Sequence, residues 1–289
     1  MKITNKFDLP ESFVKMAQSD YEYKDKRYSV TTIIQPLRSF MLRRRHDAEI
    51  EEDVSNMIWM LFGTAVHGVL ERAGTADDEL AENKMDVKLD NGYTVSGVFD
   101  LYSEGKKKVT DYKTCSVFKV LKADYTDWKM QLGIYCWMLN QIGFECNKGQ
   151  IVAIMKDWVA SKAKFDKDYP RYPVQTVSFT FTEEEIEGYG NWVKERFNEI
   201  EKAEKLPDDE LPLCTLSERF NSGIKYAVMQ KGKKRALRVF DSKELAEEYM
   251  NNIGGDKIEE RIGEDKRCID YCSACKFCSY WKEHYGKAV

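Results

Sequence analysis

No stretch of these 289 residues approaches the roughly 18 consecutive apolar residues that a membrane-crossing helix needs. The first residues, MKITNKFDLPESF, lack the apolar middle of a signal peptide. A soluble chain in the cytoplasm, with no membrane partner, is the expectation. Overall positive charge is lacking too: 45 Lys and Arg face 49 Asp and Glu, a formal net charge of −4. Nothing global therefore attracts a nucleic acid, and an acidic protein that acts on DNA needs local basic patches and metal ions to offset its field. Eight cysteines in an intracellular chain argue against disulfides and toward metal ligation wherever they cluster. The rest is ordinary globular material: 43% hydrophobic and 12% aromatic residues, in a length that suits one large domain or two small ones.

The segment 85–114, MDVKLDNGYTVSGVFDLYSEGKKKVTDYKT, reads as three consecutive strands. Asn91-Gly92 predicts a two-residue hairpin turn, whose central positions both need φ > 0. Met85, Val87 and Leu89 alternate before it, and Tyr93, Val95, Gly97 and Phe99 after it. A second turn over 103–107 contains Gly105, and the antiparallel strands around it bring Asp100 near Asp111. Residues two apart on a strand share a face, so Asp111 and Lys113 point the same way. Two carboxylates that close raise each other's pKa unless a cation separates them. A divalent cation with oxygen ligands removes the conflict. The ammonium can then polarise a water beside it, or hold charge that builds on a phosphoryl oxygen. Singly, either acid reads as a turn-flanking residue on a solvated sheet edge; together, with Lys113 on the same face, they read as a metal site.

Residues 53–73 read as a helix with Ile58, Leu61, Phe62, Ala65, Val66, Val69 and Leu70 as its buried face. Asp53 or Ser55 can cap its start and Gly74 can end it. Gly63, His67 and Glu71 form one stripe. The glycine would let another backbone approach, and the imidazole can complete the carboxylate site. Residues 115–124 read as a connector carrying Lys119 and Lys122. A second amphipathic helix over 127–140 places Gln131 and Tyr135 on one face, beside the third strand. An apolar strand over 149–158 suits the middle of a sheet. A loop over 162–173 and a strand over 174–181 follow. Thr182 with Glu185 makes a capping box for a helix to about Lys205, with Trp192, Val193, Phe197 and Ile200 buried. Upstream, residues 30–34 read as a short strand or packed entry segment. The cluster Arg43, Arg44, Arg45 and His46 reads as a solvated helix face or a phosphate contact. The order helix, three strands, helix, strand, strand, helix gives an α/β domain, a mixed sheet flanked by helices.

Four motifs line up along this frame. Gly63-Thr-Ala-Val-His67-Gly-Val-Leu-Glu71 resembles the G-x-x-x-H-x-x-x-E helix of the RecB-type branch of the PD-(D/E)XK nuclease superfamily. Gly97-Val-Phe-Asp100 resembles the segment with that superfamily's first acid, Phe99 standing where the naming proline would be. Asp111-Tyr112-Lys113 resembles its (D/E)-x-K, and Gln131-Leu-Gly-Ile-Tyr135 its trailing Q-x-x-x-Y. The resemblance spans roughly residues 55–140. It implies a restriction-endonuclease-like core in which His67, Asp100, Asp111 and the Tyr112 carbonyl ligate Mg²⁺ or Mn²⁺. It implies that Lys113 assists the attacking water, that Gln131 and Tyr135 support the site or touch DNA, and that Glu71 stands behind the ligands.

The last third reads separately. LPDDELP, residues 206–212, has the composition of a linker, and Cys214 follows. KYAVMQKGKKRALRVF reads as a hairpin around 231–234, then a short helix over 241–252 and a strand over 257–262. Lys231, Lys233, Lys234, Arg235 and Arg238 make the densest basic patch, which serves solubility or contacts DNA. Cys268, Cys272, Cys275 and Cys278 then fall within eleven residues, which suits thiolates held by zinc or an iron–sulfur cluster. Some RecB-type and CRISPR-adaptation nucleases carry a [4Fe–4S] cluster on one upstream and three C-terminal cysteines. Cys214 with Cys268, Cys272 and Cys278 resembles that set, departing from it in the C-x3-C spacing and the extra Cys275. The alternative is Zn²⁺ on the four local cysteines. Cys115, Cys136 and Cys146 read as core residues.

The layout is also similar to phage-encoded members of this superfamily. The resulting expectation is a metal-dependent DNA nuclease, foremost an exonuclease, working in phage DNA recombination or processing in the host cytoplasm. Its core would occupy residues 1–205, with the basic hairpin and cysteine region, 206–289, packed on it. Its substrate would be single- or double-stranded DNA, with room for a recombination partner or self-association. A structure-specific endonuclease with the same site, and a catalytically silent DNA-binding subunit, are the alternatives.

Overall fold

The computed structural model describes residues 1–18, 24–73 and 75–286. The chain forms two compact units. The first comprises residues 1–35 and 47–205; the second takes in 36–46 along with 206–289.

The first unit begins with β1 (Lys2–Thr4), α1 (Glu11–Ala17), β2 (Arg27–Ser29) and α2 (Val30–Ile33). Residues 30–34 are thus helical at their start, because the Ser29 side chain accepts from the Thr32 amide and caps a turn. Next in the chain comes α3 (Leu37–Arg45), which belongs to the second unit. The first unit resumes with β3 (Glu51–Asp53), paired with β1, and α4 (Ile58–Ala73). Then come β4 (Glu79–Lys88), β5 (Thr94–Ser103), β6 (Lys108–Cys115), α5 (Val117–Lys122) and α6 (Thr126–Gln141). It ends with β7 (Lys148–Met155), α7 (Ala160–Phe165), β8 (Val174–Thr180) and α8 (Glu183–Glu204). The six-stranded sheet runs β2-β5-β6-β7-β8, with β4 also on β5; β2·β5 and β6·β7 are parallel and the other pairs antiparallel. This is the expected α/β architecture, a mixed sheet flanked by helices. Helix α6 lies on β4, β6 and β7, and α8 packs on α6. Val193, Phe197 and Ile200 of α8 are fully buried, whereas Trp192 is half-buried. Both reciprocal bonds of the Thr182/Glu185 capping box are present.

Several local expectations are corrected. The hairpin between β4 and β5 is a three-residue loop, Asp90–Asn91–Gly92. The Gly92 amide donates to the Leu89 carbonyl and only Gly92 takes positive φ, +83°, the pattern of a type I turn closed by a left-handed residue. The connector after β6 and the loop after β7 contain α5 and α7, each six residues long and too short to show periodicity. No residue of α4 is fully buried: Leu61, Val66 and Leu70 are half-buried, while Ile58, Trp59, Met60, Phe62 and Val69 are exposed, so its apolar face is only partly covered among the described residues. Asp53 caps the 3₁₀ turn leading into α4 by accepting from the Ser55 amide. Gly74, the expected stop, lies outside the described residues. Gly63 is not a close-approach glycine, since a Cβ there would meet only Thr114 Oγ1 at 3.5 Å.

The second unit contains α3, β9 (Lys225–Met229), β10 (Arg238–Phe240), α9 (Lys243–Ile253), β11 (Lys257–Arg261) and α10 (Ser279–His284). Its antiparallel sheet has the order β10-β9-β11, and Lys231, Lys233, Lys234 and Arg235 are exposed in the β9–β10 connection. Asp265, 1% exposed, ties the unit together: it accepts from Asn221, Tyr280 and Tyr285 and pairs with Arg219.

Among the described residues no helix is long and apolar enough to cross a membrane.

Candidate metal centre

The site forms where β5 changes partner. On one side, β5 pairs with β2 at Thr94–Ser96 and with β6 only from Leu101 to Ser103. Between those stretches, residues 97–100 have no strand on that side. The register Leu101↔Thr110 sets Asp100 opposite Asp111 at the fork. The Tyr112 amide, which would otherwise lose its ladder partner, donates to Asp100 Oδ2 at 2.5 Å. Asp100 is 7% exposed and Asp111 3% exposed.

On the other side, β4 supplies an acid that the sequence pattern does not place among the ligands. Ala81↔Leu101 and Asn83↔Phe99 bracket Glu82 opposite Asp100. Glu82, Asp100 and Asp111 therefore form one row across three strands. Glu82 sits at φ +50°, the left-handed region, inside a strand. A glutamate there is sterically strained, and such strain gathers at functional sites.

His67 reaches the row from α4. Its Nδ1 lies 3.1 Å from Asp100 Oδ1 and 3.7 Å from Glu82 Oε1, and its Nε2 lies 3.0 Å from the Tyr112 carbonyl. Donor atoms of His67, Glu82 and Asp100 all lie within 4.8 Å of one another. The hydrogen bond to Asp100 pushes the His67 pKa up, against the effect of burial. Burial, and then the Asp100 charge, push Glu82 up.

Asp111 completes the row. Gln131 Nε2 donates to its Oδ1 at 2.8 Å and to Tyr135 Oη at 3.2 Å. Lys113 Nζ lies 2.9 Å from Oδ2, but off the direction of a hydrogen bond, so this buried oxygen has no hydrogen-bond partner. Burial raises the Asp111 pKa, with Lys113 opposing. Helix α6 is close enough for these contacts because residue 97 is glycine: a Cβ there would sit 2.8 Å from the Tyr135 ring. Glu71 is exposed at the end of α4 and outside the close group, acting on Glu82 only through charge.

The donor set of carboxylate oxygens, one carbonyl and one imidazole suits a hard divalent cation. A buried carboxylate oxygen without a hydrogen bond is a further point of fit. Alternation alone starts the first strand at Met85 and so leaves Glu82 out of the reading. Counting back from the two-residue turn read at Asn91-Gly92 sets Asn83 opposite Asp100; the three-residue loop Asp90–Gly92 shifts the register by one and puts Glu82 there.

In the second unit, Cys278 Sγ accepts from Arg38 Nε at 3.2 Å, and Cys272 Sγ lies 3.5 Å from Ser39 Oγ. Burial lifts Cys214 to about 11, with Glu218, Cys278 and Cys272 adding to it. Burial lifts Cys268 to about 12, with Asp265, Cys272, Cys214 and Cys278 adding. Cys214, Cys268, Cys272 and Cys278 are thus electrostatic neighbours, and Cys275, raised by burial, feels Cys272 most among the thiols. Cys136 and Cys146 are buried with sulfurs 3.3 Å apart, and Cys115 is half-buried.

No family model and no curated protein matches the chain. Among solved structures, the protein SSO0001 is 15% identical over 65% of this chain and 82% of its own, with a TM-score of 0.47. A phage-related exonuclease from Haemophilus somnus 129PT is 13% identical over 66% of this chain and 78% of its own, with a TM-score of 0.27.

Proposed function

We propose that the first unit is a Mg²⁺- or Mn²⁺-dependent deoxyribonuclease, acting as an exonuclease in phage DNA recombination or processing. The observation that carries the chemistry is the row Glu82, Asp100 and Asp111, with Lys113 on the face of Asp111 and His67 against Asp100. The exonuclease mode and the phage setting rest on the resemblance of the motifs and layout. His67, Glu82, Asp100, Asp111 and the Tyr112 carbonyl would hold the cation. When bound, such an ion acidifies water and neutralises charge on a phosphoryl oxygen. Lys113, at 27% side-chain exposure, can reach solvent beside Asp111, where an ammonium would assist the attacking water or hold charge building on a phosphoryl oxygen. Gln131 holds Asp111 in orientation from α6, and Tyr135 in turn fixes Gln131. Glu71 shapes the field from outside.

DNA is the proposed substrate, on the resemblance of the motifs, and one exposed aromatic–cation pair is of the kind that receives it. Trp59 on α4 is exposed, and Lys156 Nζ, just past the end of β7, lies 3.9 Å over its ring. Aromatic faces with cations suit stacked bases and phosphates.

We further propose that Cys214, Cys268, Cys272 and Cys278 hold a [4Fe–4S] cluster. Tetrahedral zinc, with Zn–S bonds of about 2.3 Å, draws its sulfurs to about 3.8 Å of each other. Among the described residues no three cysteine sulfurs lie within 4.8 Å of one another. A cubane spreads its thiolates over separate iron corners, which favours it here.

The test compares end-labelled linear single and double strands with a closed circle, in Mn²⁺, Mg²⁺ or EDTA, for the wild type and Lys113→Ala. The expected result is cation-dependent loss of linear DNA, a spared circle, and no cleavage by Lys113→Ala with DNA binding within a few fold. Cutting of the circle would replace the exonuclease reading with an endonuclease. Binding without cleavage by the wild type would refute the enzymatic reading.

A further inference from the structure

Arg38 is the largest fully buried side chain among the described residues, at 2% exposure. It stands in the first turn of α3, and all its polar partners come from the far end of the sequence. Nε donates to Cys278 Sγ at 3.2 Å, one terminal nitrogen donates to Ser279 Oγ at 2.7 Å, and the other to the Leu211 carbonyl. None of these partners carries fixed negative charge, and no carboxylate pairs with Arg38 among the described residues. The acid that α3 does pair with, Asp208, is engaged by Arg45 and His46 at the other end of the helix.

A guanidinium stays charged in a protein. Buried without a counter-charge, it is strongly unfavourable. Its position worsens matters, since the first turn of a helix is the positive end of the helix dipole. Ser39, the next residue, points its hydroxyl at Cys272. Arg267 adds a second, half-buried cation among Cys214, Cys268 and Cys272. Positive charge therefore converges on four thiols, and a metal–thiolate group is the anion that would balance it.

We propose that Arg38 is the counter-charge and clamp of the metal–thiolate group on Cys214, Cys268, Cys272 and Cys278. Loading of that group and docking of α3 then stabilise each other. This rests on the reading that those cysteines hold a metal, and it applies to iron or zinc alike. It also gives the reason why residues 36–46 leave their sequence neighbours to join the second unit.

The experiment uses the full chain purified without oxygen, as wild type, Arg38→Met and Arg38→Lys. Metal content is measured first. Release to a chelator and hydrogen exchange of residues 37–45 follow. Loss of a group that hydrogen-bonds a metal ligand typically costs 10- to 100-fold in affinity. Arg38→Met should therefore release metal about 10- to 100-fold faster than the wild type, with Arg38→Lys between them. Where iron is present, Arg38→Met should also lower its reduction potential, because a positive charge and an N–H···S bond are lost. Stripping the wild type should raise exchange in residues 37–45, a readout that stands even if a variant fails to fold. Release at the wild-type rate by Arg38→Met, or unchanged exchange on stripping, would overturn the proposal. Wild-type protein without bound metal would overturn the cysteine reading itself, and Arg38's role with it.

Discussion

Gly97→Ala is the sharpest perturbation of the candidate site that leaves its charges in place. The added Cβ would lie 2.8 Å from Tyr135 Cε1, 3.5 Å from Cδ1 and 3.6 Å from Val30 Cγ2. Carbon pairs rest at about 3.5–4.0 Å, so the ring must retreat by about 0.7–1 Å. It has little room to do so, since Tyr135 is 3% exposed and its hydroxyl is held by Gln131. Overpacking of this kind costs about 1–3 kcal/mol. Tyr135→Leu alone removes ring packing and a hydrogen bond, about 2–3 kcal/mol together. If the clash is the mechanism, the double variant is less damaged than the sum of the two, by about 1–2 kcal/mol. Urea unfolding followed by tryptophan fluorescence reads this in the right unit, because five of the six tryptophans, all but Trp281, belong to the first. Gly97→Ala should also weaken Mn²⁺ binding, because Gln131 links the displaced ring to Asp111. Energies that add within about 0.5 kcal/mol would refute the reasoning, since residues that share no clash behave additively.

Two further outcomes are expected. Glu82→Gln keeps the left-handed backbone and the side-chain bulk but removes one charge from the row. Mn²⁺ affinity by calorimetry should fall about 10-fold or more, and unchanged affinity would remove Glu82 from the site. In the second unit, burial pushes the Asp265 carboxyl up, but hydrogen bonds from Asn221, Tyr280 and Tyr285, with the Arg219 charge, outweigh it and leave the pKa lowered. A lowered acid contributes stability that is fully present above its unfolded value, about 3.9, and is lost as pH falls through the folded one. Acid unfolding of this unit should therefore steepen below about pH 4 in the wild type, and Asp265→Asn should lose that component while costing about 3 kcal/mol at neutral pH. Identical acid profiles for the two proteins, followed by exchange in residues 257–286, would contradict this.

Local rules place much of the first unit. Period-two alternation and the antiparallel turn are enough to bring Asp100, Asp111 and Lys113 together, and the i,i+4 rule puts Gln131 and Tyr135 on one face. The capping box fixes the start of α8 for the same reason: its bonds span three residues. Long-range or fine-grained features are not legible in this way. Periodicity makes α4 amphipathic but does not say how much of its apolar face is covered, and the structure leaves much of it exposed. The burial of Arg38 depends on residues 211, 278 and 279, far beyond any local pattern. Glu82 depends on where a strand begins, and element ends are the boundaries that local pattern defines least sharply.

In the first unit Asp8, Lys26, Lys107 and Ala123 take positive φ at loops and a helix end, but only at the row does such strain sit inside a strand and beside buried acids. Glu82 holds a strained backbone angle, Asp111 keeps a buried oxygen without a hydrogen bond, and three acids share a row. Surface acids on a solvated sheet edge would need none of these: water would satisfy Asp111, and Glu82 could take ordinary strand geometry. The surrounding structure holds them in spite of the cost. The ladder resumes on both sides of Glu82, and Gln131 and Tyr135, both buried on α6, press against Asp111 from behind. Strain that persists under such constraint is an argument for a ligand that relieves it. One divalent cation would screen the row and add a bond to the Asp111 oxygen that has the Lys113 charge beside it but no hydrogen bond. A protonated imidazole alone does less, because His67 faces Asp100, Glu82 and the Tyr112 carbonyl and leaves Asp111 Oδ2 to Lys113.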